Sequence, residues 1–330
     1  MNITILGGGA WGTAVAIALC RHHRVTLWVR NSQQLSALQQ QRRNEYYLPG
    51  HTLPDPLRIE ELLPRALADA ELTLFAVPSA AFRLMLRDAK AAGLKEGVIW
   101  ACKGFEPHTA MLPHQVADAE LQGVFRCAVL AGPSFAQEVA AGLPTAIALA
   151  SNDAEFARHA AAQLHTARLR IYTSTDVLGV ELGGAVKNVL AIAAGISDGM
   201  GFGYNARAAM ITRGLAEITR LGIKLGGKLE TFMGLSGLGD LILTCTGDLS
   251  RNRQVGLQLA QGRPLAMILQ HLGHIAEGVY SAREVKRLAS AAHVDMPISD
   301  AVFRVLYDGC SPKRAVEELL SRELKVEGNF

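Results

Sequence analysis

Residues 3–19 read ITILGGGAWGTAVAIAL, and the fold of the first half of the chain turns on them. A short apolar, β-rich run ends at Gly7, and an alanine-rich helical stretch follows. Between them Gly7, Gly9 and Gly12 keep G-x-G-x-x-G spacing. Each glycine has a task where a strand turns into a helix: Gly7 permits the tight turn, Gly9 lets the backbone approach a pyrophosphate, and Gly12 lets helix and strand pack closely. The amides at the helix N-terminus then face the phosphate charge. The stretch predicts the opening βαβ unit of a Rossmann-type domain. A glycine-rich turn that holds no ligand is the alternative reading.

Working outward, further strand-like runs follow at 24–30 (RVTLWVR), 72–78 (LTLFAVP), 97–103 (GVIWACK), 127–133 (CAVLAGP), 145–151 (TAIALAS) and 169–174 (LRIYTS), with helix-like segments such as 12–22 and 80–92 between them. Near-continuous apolar strands alternating with helices predict a doubly wound, mostly parallel sheet covered on both faces. After about residue 178 strand-like runs disappear. Helical patterns take over at 177–200, 206–222, 252–261, 281–292, 297–307 and 312–320. The expected organisation is an NAD(P)-binding domain over 1–178 and an all-α substrate-binding and catalytic domain over 179–330.

The 330 residues are 49% hydrophobic and 19% charged, which suits two packed domains and excludes wholesale disorder. A net charge of +3 without a Lys/Arg tract gives no reason to expect a nucleic-acid partner. Five scattered cysteines without a C-x-x-C pair fit a reduced, cytoplasmic chain. The N-terminus lacks the basic region and unbroken apolar run of a signal peptide, and no uninterrupted apolar stretch of about 18 residues predicts a membrane span.

An NAD site usually ends its second strand with Asp or Glu, which binds the ribose 2′-hydroxyl. Here Arg30 and Asn31 stand in that place. A guanidinium suits a 2′-phosphate, so NADPH is expected to bind at least as well as NADH. An arginine that stacks on adenine without discriminating is the other reading.

Polar stretches fall where strands end or helices begin. ACKGFE puts Lys103 at the end of a strand, and AGPSFA offers Gly132, Ser134 and backbone amides. In GLSGLGDLILTCTGDLSRNRQVG (234–256), Gly234, Gly237 and Gly239 predict a loop up to Asp240, and Ser250, Arg251 and Asn252 open a helix. Such a helix start, with arginine's fork, is a natural phosphate site. Ser250 also reads as a helix cap, and Arg251 as part of a solvated face. Lys187 sits in ELGGAVKNVLAIAAG (181–195) among small and aliphatic residues. Lysine is rarely buried without a partner or a task. At helical spacing Gly184, Lys187, Ala191, Ala194 and Asp198 share a stripe, and small residues there let another element or a flat ligand come close. A lysine simply paired with a buried carboxylate is the structural alternative.

The segments GGGAWGTAVA, ACKGFEP, AGPSFAQEVA, ELGGAVKNVLAIAAGISDGMGFGYNARAAMITRGLAEI, GLSGLGDLILTCTGDLSRNRQVG and IAEGVYSAREV, spread in order from about residue 2 to 320, resemble the bacterial form of the NAD(P)-dependent glycerol-3-phosphate dehydrogenases. The resemblance implies a Rossmann domain followed by a helical domain of the 6-phosphogluconate dehydrogenase C-terminal-like kind. It implies reversible interconversion of dihydroxyacetone phosphate and sn-glycerol 3-phosphate for glycerophospholipid synthesis. It makes Lys187 the proton donor and acceptor, and sets Lys103 against both cofactor and substrate. It assigns Gly132, Ser134, Asp240, Ser250, Arg251 and Asn252 to substrate. It assigns Ala10, Trp11, Arg30, Ala136, Arg251, Ile275 and Glu277, beside the three glycines, to cofactor. Ala10 stands where relatives often have serine, and Ile275 where many have valine. A homodimer is a further expectation from the family.

A buried lysine beside a second cation has a lowered pKa, which fits it for proton transfer near neutral pH. The rival readings are a Rossmann-plus-helical dehydrogenase of hydroxyacids or sugar acids, and an NADPH-sensing protein without chemistry; two lysines in one site argue against the sensor. His271 and His274 lack further ligands at metal spacing, so no metal is expected. Cys245 reads as a small apolar residue.

Overall fold

A computed structural model describes residues 1–95, 97–273 and 276–323. The chain divides into two compact units: residues 1–102 with 113–177, and residues 103–112 with 178–330. The sequence reading drew a single boundary at 178; the short excursion at 103–112 has no signature in composition.

The first unit is built on strands β1 (Asn2–Leu6), β2 (Arg24–Trp28), β3 (Arg43–Asn44), β4 (Leu48–Thr52), β5 (Arg58–Glu60), β6 (Leu72–Phe75), β7 (Val98–Trp100), β8 (Cys127–Ala131), β9 (Thr145–Ala150) and β10 (Leu169–Ser174). Its helices are α1 (Ala10–Leu19), α2 (Ser32–Gln41), α3 (Leu63–Leu67), α4 (Ser79–Ala91), α5 (Pro113–Leu121), α6 (Ala136–Ala140) and α7 (Ala154–Leu164). Among the described residues one eight-stranded sheet runs in the order β10-β9-β8-β7-β6-β1-β2-β5. All its pairings are parallel except β8 with β9. From β1 the chain builds outward through β2 to β5, then returns to place β6 on the other side of β1. The strand order therefore reverses between β1 and β6, where dinucleotides bind in folds of this kind. Burial of every residue in β6 and β7 explains their unbroken apolar sequences. Phe75, Phe82 and Trp100 pack as an aromatic row with ring centroids 5.7 and 5.6 Å apart. The antiparallel hairpin β3–β4 and the edge strand β5 add to the strands read from sequence. They are short and partly polar, so they carry little apolar signal.

The second unit is helical: α8 (Val177–Gly199), α9 (Gly203–Lys224), α10 (Leu229–Phe232), a π-helical turn at Leu235–Gly239, α11 (Asp240–Thr246), α12 (Arg251–Ala260), α13 (Leu265–Leu272), α14 (Glu277–Ala292), α15 (Pro297–Tyr307) and α16 (Pro312–Leu320). Helix α8 is apolar all round because it is central; by length and composition it could cross a membrane, yet it is mostly buried in its unit. Its glycines let neighbours come close. A Cβ on Gly195 would lie 2.0 Å from the Arg253 carbonyl oxygen, and one on Gly256 2.1 Å from that of Ile192. Phe105 and Leu112 of the 103–112 segment are buried in the core of this helical unit.

Candidate active site

In the first unit the glycine loop has the geometry its spacing predicts. Gly7 adopts φ +127°, and a Cβ there would fall 2.4 Å from the Ala76 carbonyl oxygen. A Cβ on Gly12 would fall 2.1 Å from the Gly7 carbonyl oxygen, so α1 starts hard against the end of β1. Gly9 precedes α1 with no side-chain cap, and a Cβ on it would meet nothing within 4 Å. An open face at the start of an uncapped helix fits a dinucleotide pyrophosphate, because amides without intrahelical partners are there to receive it. Ala10 and Trp11 begin α1, and the Trp11 indole donates to Ser134 Oγ at 3.3 Å. Ser134 in turn donates to the Gly132 carbonyl at 3.1 Å. Gly132 has φ +140° and lies close against Ile147, and Ala136 begins α6. Arg30 is exposed just beyond β2, while Asn31 caps α2 by accepting from the amides of Gln33 and Gln34.

Two residues that sequence reasoning missed secure this loop. Gln34 Nε2 and Asn44 Nδ2 donate to the Gly8 carbonyl at 2.6 and 3.0 Å, and Asn44 Nδ2 also reaches Thr13 Oγ1 at 2.8 Å. Asn44 is buried on β3, a strand too short to read from sequence.

In the second unit Lys187 lies at the middle of α8 and is 5% exposed. Its ammonium donates to Asp240 Oδ1 and, at 2.9 Å, to Thr244 Oγ1. Lys103 Nζ donates to the other oxygen of the same carboxylate, Asp240 Oδ2, at 2.8 Å. Lys187 therefore has a buried carboxylate partner, and a second cation shares that carboxylate. Burial pushes the Lys187 pKa down and Lys103 adds to the fall; Asp240 opposes them, and the result is about 8. Burial alone would raise the Asp240 pKa, but the two ammoniums and their hydrogen bonds hold it below the usual carboxylate value.

Asp240 does not end a loop, as the glycine spacing suggested. The π-helical turn at 235–239 runs directly into α11, whose first residue is Asp240. Close backbone contact asks for glycine here, since a Cβ on Gly237 would lie 2.1 Å from the Phe232 carbonyl oxygen. Thr244, one turn further along α11, donates to the Asp240 carbonyl at 2.6 Å and so presents its oxygen lone pairs to Lys187.

Ser250 caps α12 by accepting from the Arg253 amide at 3.3 Å. Beside it Arg253, itself buried, binds Asp198 and Asp248 at 2.8 Å each. Asn252 is braced at both ends: its Nδ2 donates to Asn188 Oδ1, and its Oδ1 accepts from the Gly278 amide, each at 2.9 Å. Asn188 Nδ2 continues the chain to the Lys103 carbonyl at 3.1 Å. Asn188 was missed too; a polar amide next to Lys187 on an apolar helix was its signal. Arg251 is exposed at the helix start and electrostatically coupled to Glu277, the half-buried first residue of α14. The second unit thus brings together Lys103, Lys187, Asp240 and Asn252, with Ser250 and Arg251 on the adjoining helix start. Ile275 and His274 lie outside the described residues. Among the described residues no three His, Cys, Asp or Glu side chains are grouped to hold a metal.

Residues 2–157 match the family model described as NAD-dependent glycerol-3-phosphate dehydrogenase N-terminus, and 176–317 match its C-terminus. The glycerol-3-phosphate dehydrogenase [NAD(P)+] of Nitrosospira multiformis is 60% identical, with 99% of each chain covered. That of Dechloromonas aromatica is 55% identical, again with 99% of each covered. The crystal structure of glycerol-3-phosphate dehydrogenase from Coxiella burnetii superposes with a TM-score of 0.93 at 44% identity, covering 97% of this chain and 99% of that one. A glycine loop shaped for a dinucleotide, two lysines on one buried carboxylate, and this likeness along the whole chain together identify it as a member of the NAD-dependent glycerol-3-phosphate dehydrogenase family.

Proposed function

We propose that this chain interconverts dihydroxyacetone phosphate and sn-glycerol 3-phosphate with NAD(P)H, Lys187 acting as the proton donor and acceptor. The observation that carries the reading is the pairing of Lys187 and Lys103 with the two oxygens of Asp240. Bound reduced nicotinamide supplies a hydride to the ketone carbon. Lys187 Nζ gives its proton to the carbonyl oxygen as negative charge develops there, and takes one back from the hydroxyl in the reverse direction. With a pKa of about 8, it is near enough to neutrality to serve both directions. Lys103 stabilises the developing oxyanion. Asp240 offsets one of the two charges and fixes both ammoniums, so neither must reorganise as the proton moves.

The remaining residues bind and orient. The α12 start, with the Arg251 fork and first-turn amides, suits the substrate phosphate. Asn252 and Ser250 hold that helix start in shape; Gly132 and Ser134, in the first unit, are further substrate-binding residues by the family likeness. Gly7, Gly9 and Gly12 cradle the cofactor pyrophosphate, with Ala10, Trp11 and Ala136 as further contacts in the same unit; Glu277 and Ile275 are cofactor residues by the family likeness alone. Arg30 would receive a 2′-phosphate, which favours NADPH. All five cysteines are free thiols, which supports a reduced, cytoplasmic setting. A homodimer is the expected assembly, checked by sedimentation equilibrium.

The reading is tested by following NADPH and NADH oxidation with dihydroxyacetone phosphate against a panel of 2-keto acids. Turnover of the phosphate ester alone is expected. Turnover of a 2-keto acid in its place would overturn the substrate assignment.

A further inference from the structure

Resting on the role given to Lys103 above, we propose that Glu284 and Arg287 of α14 are positioning residues for Lys103, acting through the backbone of His108. Lys103 opens the 103–112 segment, and its two ends are held differently. At the near end the Lys103 ammonium binds Asp240 and its carbonyl accepts from Asn188. At the far end both polar groups of one backbone residue are gripped by one helix. The His108 amide donates to Glu284 Oε1 at 3.2 Å, and Arg287 Nη1 donates to the His108 carbonyl at 2.6 Å.

The grip meets a real need. His108 and Ala110 adopt φ of +70° and +61°, the left-handed region that non-glycine residues adopt only under strain. The segment is cross-braced by Glu106 N to Met111 O at 2.8 Å and Ala110 N to Glu106 O at 3.1 Å, so it moves as a unit. Buried Phe105 and Leu112 anchor it, but apolar contacts without direction do not fix the aim of a lysine. Hydrogen bonds to a single residue at its tip do. Glu284 is itself buried, and its Oε2 has no hydrogen-bond partner among the described residues. A core position chosen for stability would not carry a half-satisfied carboxylate. Its presence there points to the task its other oxygen performs.

The test uses the full-length enzyme with dihydroxyacetone phosphate and NADPH. Glu284→Ala and Arg287→Ala are each expected to lower kcat about 10-fold, since small displacements of a catalytic group are costly, with NADPH Kd unchanged. Glu284→Gln, which keeps an acceptor oxygen, should restore most of the lost kcat. The charged or titratable neighbours of Lys187 are Asp240, Lys103 and Cys245. Displacing Lys103 should therefore move the upper limb of the pH–rate profile above its wild-type position in the alanine variants. A loss of stability alone would leave that limb in place. A folded Glu284→Ala enzyme with wild-type kcat and pH limb would overturn the proposal, as would a Glu284→Gln enzyme as impaired as Glu284→Ala. Should Glu284→Ala not fold, the kcat and pH limb of Arg287→Ala, which alters an exposed part of α14, decide the matter in the same way. Lys103→Met separates the two levels. Retained turnover there removes the role of Lys103 itself, whereas its loss beside an unaffected Glu284→Ala removes only the clamp.

Discussion

Lys103 and Lys187 hold the two oxygens of one buried carboxylate, that of Asp240. One negative charge among two positive ones leaves the trio with a net positive charge inside the helical unit. That surplus is poised for an oxygen that becomes negative during reaction. Removing the carboxylate should therefore hurt more than a typical surface change. Asp240→Asn is expected to lower kcat and to destabilise the fold by about 3 kcal/mol, measured by urea denaturation, because it strips a buried ion pair of one partner.

Lys187→Met should abolish proton transfer, lowering kcat about 10²–10⁴-fold or more. NADPH binding, followed by nucleotide fluorescence, should persist, because the glycine loop and Arg30 belong to the other unit. Substantial remaining kcat would take Lys187 out of the proton-transfer role.

The pH dependence follows from the Lys187 pKa of about 8. Reduction of the ketone needs the ammonium, so its kcat/KM should fall about tenfold per pH unit above 8. Oxidation of the alcohol needs the neutral amine, so its kcat/KM should rise toward pH 8 and then level. Opposite slopes in the two directions are the signature; parallel slopes would point to a different group.

Arg30→Asp should move the ratio of kcat/KM values for NADPH and NADH toward NADH, because it exchanges a 2′-phosphate partner for a 2′-hydroxyl partner. An unmoved ratio would leave Arg30 as an adenine-stacking residue.

Glu217 offers a test of stability apart from the chemistry. On α9 it is buried and accepts from the Ile298 and Ser299 amides at 2.6 and 3.0 Å and from Ser299 Oγ at 2.8 Å, capping α15. Burial raises its pKa from 4.5 to about 7, against the pull of those hydrogen bonds. A raised folded-state pKa contributes stability below pH 4.5 that is lost as pH rises through about 7. The stability of the wild type relative to Glu217→Gln should therefore decline by about 3 kcal/mol across that window, read from urea midpoints. A constant difference would show Glu217 to be ionised throughout.

Much of this architecture was legible because its signals are local. Gly7, Gly9 and Gly12 act within one turn of chain, and Ser250 caps the helix it precedes. Lys187 announces itself by standing alone in an apolar helix. What escaped the sequence depends on partners far away in the chain. Asn44 supports Gly8 from a two-residue strand, and Thr244 becomes a lysine partner only because α11 begins at Asp240. The glycines at 234–239 read as a loop, yet close packing against Phe232 and α8 winds them into a π-helical turn. Glycine marks freedom and tight contact with the same letter.

The chain passes between its two units at 102–103, 112–113 and 177–178. A gene cut once near residue 178 would therefore yield neither half intact. The amino-terminal fragment would carry Phe105 and Leu112 without the helical core that buries them, and would expose them to water. The carboxy-terminal fragment would keep Lys187 and Asp240 but lose Lys103, leaving one of the two carboxylate oxygens unmatched. Separately expressed halves should prove poorly soluble or incompletely folded, because the chain threads through each unit more than once.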